Sequence, residues 1–476
     1  MNKPVYESPL CSRYASQDMQ HLFSPDMRYH TWRRLWIALA KAEHKLGLNI
    51  TEEQIKELED GIDDIDYEKI AAKEKETRHD VMAHVYGFGL NCPKAKGIIH
   101  LGATSCYVTD NADIVIYRDA LKLVLKKLLT VISNLSDFAL KYKDLPTLGY
   151  THYQPAQLVT VGKRASLWLQ DFMLDLEELD FVISTVRMLG SKGTTGTQAS
   201  FLSLFDGDHD KVKQLDSLIA SEFDIESCFP VSGQTYPRKS DSRILNVLSS
   251  IAQSAYRFAD DMRLLQHMRE VEEPFEKGQI GSSAMAYKRN PMRCERICSL
   301  SRYIMTNAQN AAMTASTQWL ERTLDDSANR RIALPEGFLA TDAVLNLLIN
   351  VTENLVVYPK VIEKNLREFL PFIATENLLM AAVKKGADRQ EMHEIIRQHS
   401  MDAATAMKLE GKPCDLLTRL AEDKRFILDE SQLHDVLNPA DYIGRAPEQV
   451  SEYVEMFVIP ALKEHNYEHM TANIDV

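Results

Sequence analysis

The run from Glu276 to Pro291 reads Glu276-Lys277-Gly278-Gln279-Ile280-Gly281-Ser282-Ser283-Ala284-Met285-Ala286-Tyr287-Lys288-Arg289-Asn290-Pro291. Gly278 and Gly281 argue against a stable helix there. Ser282 and Ser283 place two hydroxyls on that backbone, and Lys288 and Arg289 add fixed positive charge. A helical pattern resumes near Met292. Loops held by rigid elements are where chemistry concentrates. On composition alone an ordinary surface loop is the commoner reading; the order of the residues is what carries information.

A second candidate is His152, in Tyr150-Thr151-His152-Tyr153-Gln154-Pro155-Ala156-Gln157. Pro155 suits the first turn of a helix, which sets His152 just ahead of that helix. A capping or packing histidine is the ordinary alternative to an acid/base group. In the segment from His100 to Asp113, Thr104 and Ser105 supply hydroxyls before a helix that Thr109 or Asp110 would cap. Such a helix start binds an anion through backbone N–H groups, or is a plain capping loop. Between Gln318 and Arg331, three arginines (Arg322, Arg330 and Arg331) mix with Ser327 and acidic residues. Arginine forks hold carboxylate and phosphate bidentately; internal Asp–Arg pairing in a solvated turn is the alternative. Arg13-Tyr14 sits in an irregular N-terminal stretch.

Two further segments carry less. Gly190-Ser191-Lys192-Gly193-Thr194-Thr195-Gly196-Thr197-Gln198 matches neither a phosphate loop nor a dinucleotide fingerprint. It follows a helix C-terminus, the wrong dipole end for phosphate, and is expected to be a tight connection near the site. His393-Glu394-Ile395-Ile396-Arg397 lacks the second histidine of a zinc helix, and no metal site is expected.

The elements that must position these groups are helical. A helix is expected from about Thr31 to Gly47, then segments over 51–60 and 67–88, the last containing Arg78-His79-Asp80. Leu121, Leu125, Leu128, Ile132, Leu135 and Ala139 form an apolar heptad seam. The pattern recurs from Leu158 to Val186, a helix expected to be roughly 45–50 Å long. It recurs again from Ile244 through Leu248, Ile251, Ala255, Phe258 and Met262 to Leu265. Further long helices are expected over 293–318 and 328–357. Helices of this length suit a bundle, and seams this extended often pair with other subunits. Period-2 runs are absent, so a strand-rich middle of the chain is not expected. The resulting fold class is all-α in three helical domains: 1–110, a central long-helix bundle over 111–358, and 359–476.

The chain has 476 residues, 45% hydrophobic and 26% charged, with a formal charge of -13 and seven scattered cysteines. That balance argues against a nucleic-acid partner, which needs a basic face. No apolar run approaches the roughly 20 residues that span a bilayer, so no membrane partner is expected. The cysteine pattern fits free thiols in a reducing compartment, and the N-terminus lacks the apolar core of a signal peptide, so a cytoplasmic location is expected.

The order Gly-Ser-Ser-x-Met-x-x-Lys-x-Asn-Pro resembles the signature loop of the fumarase/aspartase superfamily, with Ala286 where that family usually has Pro. The change frees one torsion and restores one N–H, so the loop is expected to be less pre-ordered. Thr151-His152-Tyr153-Gln154-Pro155-Ala156-Gln157 and His100-to-Asp113 resemble two further superfamily motifs. Arg13-Tyr14, Arg78-His79-Asp80, Thr104-Ser105, Ser232-Gly233-Gln234-Thr235-Tyr236, Glu321-to-Arg331 and Tyr287-to-Arg293 are similar to the adenylosuccinate lyase branch, in its animal type. The resemblance covers nearly the whole chain.

It implies elimination of fumarate from succinylated purine nucleotides without a cofactor. It also implies a homotetramer with a twenty-helix core and sites shared among three subunits. It gives Ser282 the role of base, with Ser283 as the neighbouring alternative, and His152 that of acid. Lys288 supports the intermediate, and His79 and Thr104-Ser105 lie on the succinyl side. Arg13, Ser327 and Arg331 fall to the phosphate, Gln234 to the substrate's polar atoms, and Tyr14, Arg78, Asp80, Arg296 and Arg322 to further ligand contacts.

Overall fold

The computed structural model describes residues 5–276, 278–279 and 284–472, and their fold is all-α. The elements that matter for the site are α1 (Pro25–Lys45), α2 (Tyr67–Thr77), α3 (Asp80–Asn91), α4 (Ser105–Lys141), β1 (Pro146–Thr151), β2 (Gln154–Thr160), α5 (Val161–Ser184), α6 (Lys239–His267), β3 (Val271–Glu272), α7 (Met292–Ser316), α8 (Asp326–Glu353) and β4 (Val356–Val357). At 1.5 Å per residue the 37 residues of α4 span about 55 Å.

The three heptad seams lie where their spacing puts them. Leu121, Leu128, Ile132 and Leu135 of α4, Ala165, Phe172 and Leu179 of α5, and Leu248, Ile251 and Phe258 of α6 meet in one buried cluster with α7 and α8. Gly162 permits the start of α5 to lie against the end of α4, since a Cβ there would sit 2.2 Å from the Ala139 carbonyl oxygen. A second cluster joins α1, α3 and the start of α4 to residues between 186 and 236. A third lies among the helices of residues 375–436. Among the described residues one helix, α8, is long and apolar enough to cross a membrane, but 78% of its most apolar stretch is buried in the bundle.

Three expectations are corrected. The long helix expected from Pro155 begins at Val161, capped by the Thr160 hydroxyl; residues 146–160 are instead an antiparallel hairpin. Its turn residues, His152 and Tyr153, have φ of 53° and 57°, the pair of left-handed residues a two-residue hairpin turn requires. The register shifts between Leu148 and Tyr150, and Pro155 stands opposite Tyr150, so the alternation is broken on both strands. The hairpin docks through Leu148 and Leu158 on Leu366 and Leu370. Second, 67–88 is not one helix: Arg78, with φ 52°, ends α2, and His79 caps α3. Third, α4 starts at Ser105 behind Thr104, well ahead of Thr109 and Asp110.

Among the described residues one buried carboxyl has both oxygens unpaired. Glu43 of α1 is 0% exposed, and neither carboxyl oxygen has a hydrogen-bond partner. Burial pushes its pKa from the ordinary 4.5 up to about 9. The folded chain therefore keeps a proton that the unfolded chain releases across that window, and stability falls as pH rises through it. The Glu43→Gln variant is expected to lose less melting temperature than the parent between pH 5 and 8.5. Parallel curves for the two proteins would contradict this.

Candidate active site

A cavity of about 450 Å³ opens where α2, α3, the start of α4 and the start of α8 converge. The break between α2 and α3 builds one wall. Arg78 adopts left-handed backbone, uncommon for a residue with a Cβ, while its N–H closes α2 on the Glu74 carbonyl at 2.7 Å. The next residue, His79, caps α3: its Nδ1 accepts the Met82 N–H at 3.3 Å. That bond puts the ring proton on Nε2, which lies 3.3 Å from the Ser105 hydroxyl. His79 thus stands tautomer-selected over the N-terminus of the 37-residue α4. Thr104 caps that helix without a side-chain hydrogen bond, so the first backbone N–H groups of α4 lie beside the cavity with the positive end of the helix dipole.

The opposite wall comes from the turn into α8. Arg322, Ser327 and Arg331 line the cavity, and the Arg331 guanidinium lies 3.8 Å from Asp80 across it. Gln234 is held beside Arg322: its N–H donates to the Glu321 carbonyl at 3.0 Å, and its side-chain oxygen accepts from the Cys106 thiol at 3.7 Å. Gly233 makes this approach possible, because a Cβ there would fall 2.3 Å from the Glu321 carbonyl oxygen. The glycine-rich segment 190–198 packs against it at Ser232, where Gly196 approaches, and is anchored by a Lys192–Asp216 ion pair whose lysine is buried.

Beneath the cavity lies a buried charge network. Arg238 donates to Asp110 at 2.9 Å and to Asp326 at 2.6 Å, and Asp326 also accepts from Arg322 at 3.1 Å. Arg330 donates to Asp241 at 2.6 Å, to Asp113 at 3.0 Å and to the Tyr236 hydroxyl, which itself donates to Asp241 at 2.5 Å. Burial alone would lower the pKa of Arg330, but the facing Asp241, Tyr236 and Asp113 outweigh it and hold it above the ordinary arginine value. Behind His79, His100 accepts the Trp36 indole N–H at 2.9 Å; burial first and His79 second push its pKa down to about 4. His100 is therefore a neutral support rather than a second acid.

The expected site residues fall into separate places on one chain. Arg78, His79, Asp80, Ser105, Arg322, Ser327 and Arg331 line the cavity, with Thr104 and Gln234 adjoining residues that line it. Arg13, Tyr14 and Arg296 line a different cavity of about 340 Å³, where the Arg296 guanidinium lies 5.6 Å over the Tyr14 ring. That cavity rests on the buried Lys127–Asp342 pair, to which Ser16 adds an N–H bond of 2.7 Å. His152 stands exposed at the hairpin tip, and Lys288 lies on an exposed loop segment; neither lines these cavities. Ser282 and Ser283 lie outside the described residues. Sequence reading missed Arg238 and Asp241 and the pairing of Asp110, Asp113 and Tyr236 with the arginines, whose partners lie 88 or more positions away in the chain. The nearest available signal was the i,i+3 pair of acids at 110 and 113 on a helix otherwise facing a core.

Comparison with known proteins places this arrangement. A family profile described as "Lyase" matches residues 14–306, and one described as "Adenylosuccinate lyase C-terminus" matches 371–453. The chain is 54% identical to an adenylosuccinate lyase of Schizosaccharomyces pombe over 96% of this chain and 95% of that one. It is 53% identical to the adenylosuccinate lyase of Saccharomyces cerevisiae over 96% of each, and 49% identical to that of Schistosoma mansoni over 98% and 97%. In fold it is similar to a fumarate lyase from Mesorhizobium sp. BNC1, with a TM-score of 0.79 at 23% identity over 95% of this chain and 100% of that one. It is similar as well to a 3-carboxy-cis,cis-muconate lactonizing enzyme from Pseudomonas putida, with a TM-score of 0.80 at 22% identity over 96% and 98%. A bundle of heptad-seamed helices carrying an arginine-rich cavity at the head of its longest member is, on this full-length identity, that of a lyase: the chain belongs to the adenylosuccinate lyase family.

Proposed function

We propose that this chain eliminates fumarate from adenylosuccinate to leave AMP, and from succinylaminoimidazole carboxamide ribotide to leave the corresponding amide. The observation that carries the reading is 54% identity to a relative of that name over 96% of the chain. The chemistry breaks a C–N bond. It needs a base for the proton beside a carboxylate, cations and dipoles for the resulting dianion, and an acid for the leaving nitrogen. The start of α4, with Thr104, Ser105 and His79, suits a succinyl carboxylate. Arg78, Asp80 and Arg322 complete that wall as ligand contacts, and Gln234 takes polar atoms of the substrate. Arg331 and Ser327 take the phosphate together with Arg13. Tyr14 and Arg296 are further ligand contacts. Ser282 is the base, with Ser283 the alternative; His152 is the acid, and Lys288 stabilises the intermediate. The reaction uses no cofactor.

Because these groups lie apart on one chain, the reading requires that copies share them. The surface of α5 supports association: Leu167, Leu174 and Phe181, each seven residues from the next, are 41%, 53% and 60% exposed. A seam of that spacing is what a helix presents to another helix. We propose a cytoplasmic homotetramer with a twenty-helix core, built from domains 1–110, 111–358 and 359–476, acting on small-molecule nucleotides.

The test is turnover. Purified protein mixed with adenylosuccinate is expected to release fumarate and AMP, followed by ultraviolet absorbance. Binding of AMP without fumarate release would overturn the reading, and faster turnover of argininosuccinate would move the chain to another branch of the superfamily.

A further inference from the structure

The loop that carries Lys288 leaves β3 and returns at α7, and its two ends are laced together. Glu273 is only 5% exposed, with Oε1 accepting the Arg293 N–H at 3.1 Å and Oε2 the Cys294 N–H at 2.9 Å. Its carboxylate therefore caps the first turn of α7 from the far end of the loop, where a negative charge also faces the positive end of the helix dipole. Gln266, near the end of α6, bridges the same two loop ends: its Oε1 accepts the Glu273 N–H at 3.3 Å and its Nε2 donates to the Arg289 carbonyl at 3.1 Å. Arg293 returns the contact by donating to the Pro274 carbonyl at 2.7 Å and pairing with Glu276. Arg289 is held from the side, 3.7 Å from Glu272 and 4.9 Å over the Phe275 ring.

We propose that Glu273, acting with Gln266, is a positioning residue for the elimination: it clamps the base of the loop and so sets where Lys288, adjacent to Arg289, is presented. Closing a loop at its base removes most of the conformations open to its ends, and a group misplaced by about 1 Å can cost 100-fold in rate. The inference rests on the reading that Lys288 takes part in the reaction.

The test uses the full-length enzyme and rates expressed per AMP-binding site, so that loss of folded protein does not count. Glu273→Ala is expected to lower kcat by about 10- to 100-fold while KM and AMP affinity stay within about twofold. Glu273→Gln, which keeps one acceptor, is expected to recover part of the loss. Trypsin cleavage after Lys288 and Arg289 is expected to quicken in the alanine variant. If Glu273→Ala does not fold, Gln266→Ala decides, with a smaller loss of kcat in the same direction. Parent kcat per site and parent cleavage rate in whichever variant folds would overturn the inference. Lys288→Met is run beside them. An inactive Lys288→Met with a fully active clamp variant sinks the clamp alone, whereas a fully active Lys288→Met sinks the role given to Lys288.

Discussion

Replacing His152 with glutamine is expected to lower kcat on adenylosuccinate by at least about 100-fold, with no change in fold. The two halves of that expectation come from different observations. His152 sits at the tip of the β1–β2 hairpin, exposed, with its partner strands held by Leu148 and Leu158 at their base. Glutamine matches the imidazole in reach and can hydrogen-bond, but it cannot carry a proton to a leaving nitrogen. On the left-handed backbone glutamine meets the same penalty of about 1–2 kcal/mol that histidine already bears, in a turn that buries little. Melting temperature and oligomer mass should therefore match the parent, while fumarate release collapses. A variant with parent kcat would remove His152 from the chemistry.

The largest expected effect on stability belongs to Arg330. It is buried and serves Asp241, Asp113 and Tyr236 at once. Arg330→Met leaves two carboxylates facing each other beneath the cavity without their cation. Removing one partner of a buried ion pair typically costs about 3–5 kcal/mol. Denaturant or thermal unfolding is expected to show a loss of that order. Adding Asp241→Asn to Arg330→Met should cost less than the sum of the single changes, because the second removes a charge the first has stranded. A single-variant loss below about 0.5 kcal/mol would show that the network contributes packing rather than charge.

The bundle was legible in the sequence because its signal is local and repeated. The heptad seams set the core faces of α4, α5 and α6, and the boundaries expected for the last two bundle helices, 293–318 and 328–357, fall within a few residues of Met292–Ser316 and Asp326–Glu353. The hairpin was not legible. A shift of register beside Gly149 and a proline at 155 break its alternation, and its turn is His152-Tyr153 rather than the Asn-Gly pair that announces such turns. The break at Arg78 was hidden for a similar reason: its left-handed conformation is one that glycine or asparagine usually signals. The charge network joins residues 88 to 128 positions apart, together with Arg330 and its acids, and no local pattern reports such pairings. Residue types near the site were legible, and the resemblance implied sites shared among subunits; which of them one chain holds apart, as it does His79, His152 and Arg13, came only from three dimensions.

That separation is tested most directly by mixing two inactive proteins. His152→Gln and His79→Asn, the latter keeping a residue able to cap α3, are each expected to release almost no fumarate. After their subunits are unfolded and reassembled together, some sites would combine an intact His79 from one copy with an intact His152 from another. Recovery of a substantial fraction of parent activity in the mixture is the expected result. A mixture that forms mixed oligomers by mass yet stays as inactive as its parts would contradict a site shared between copies.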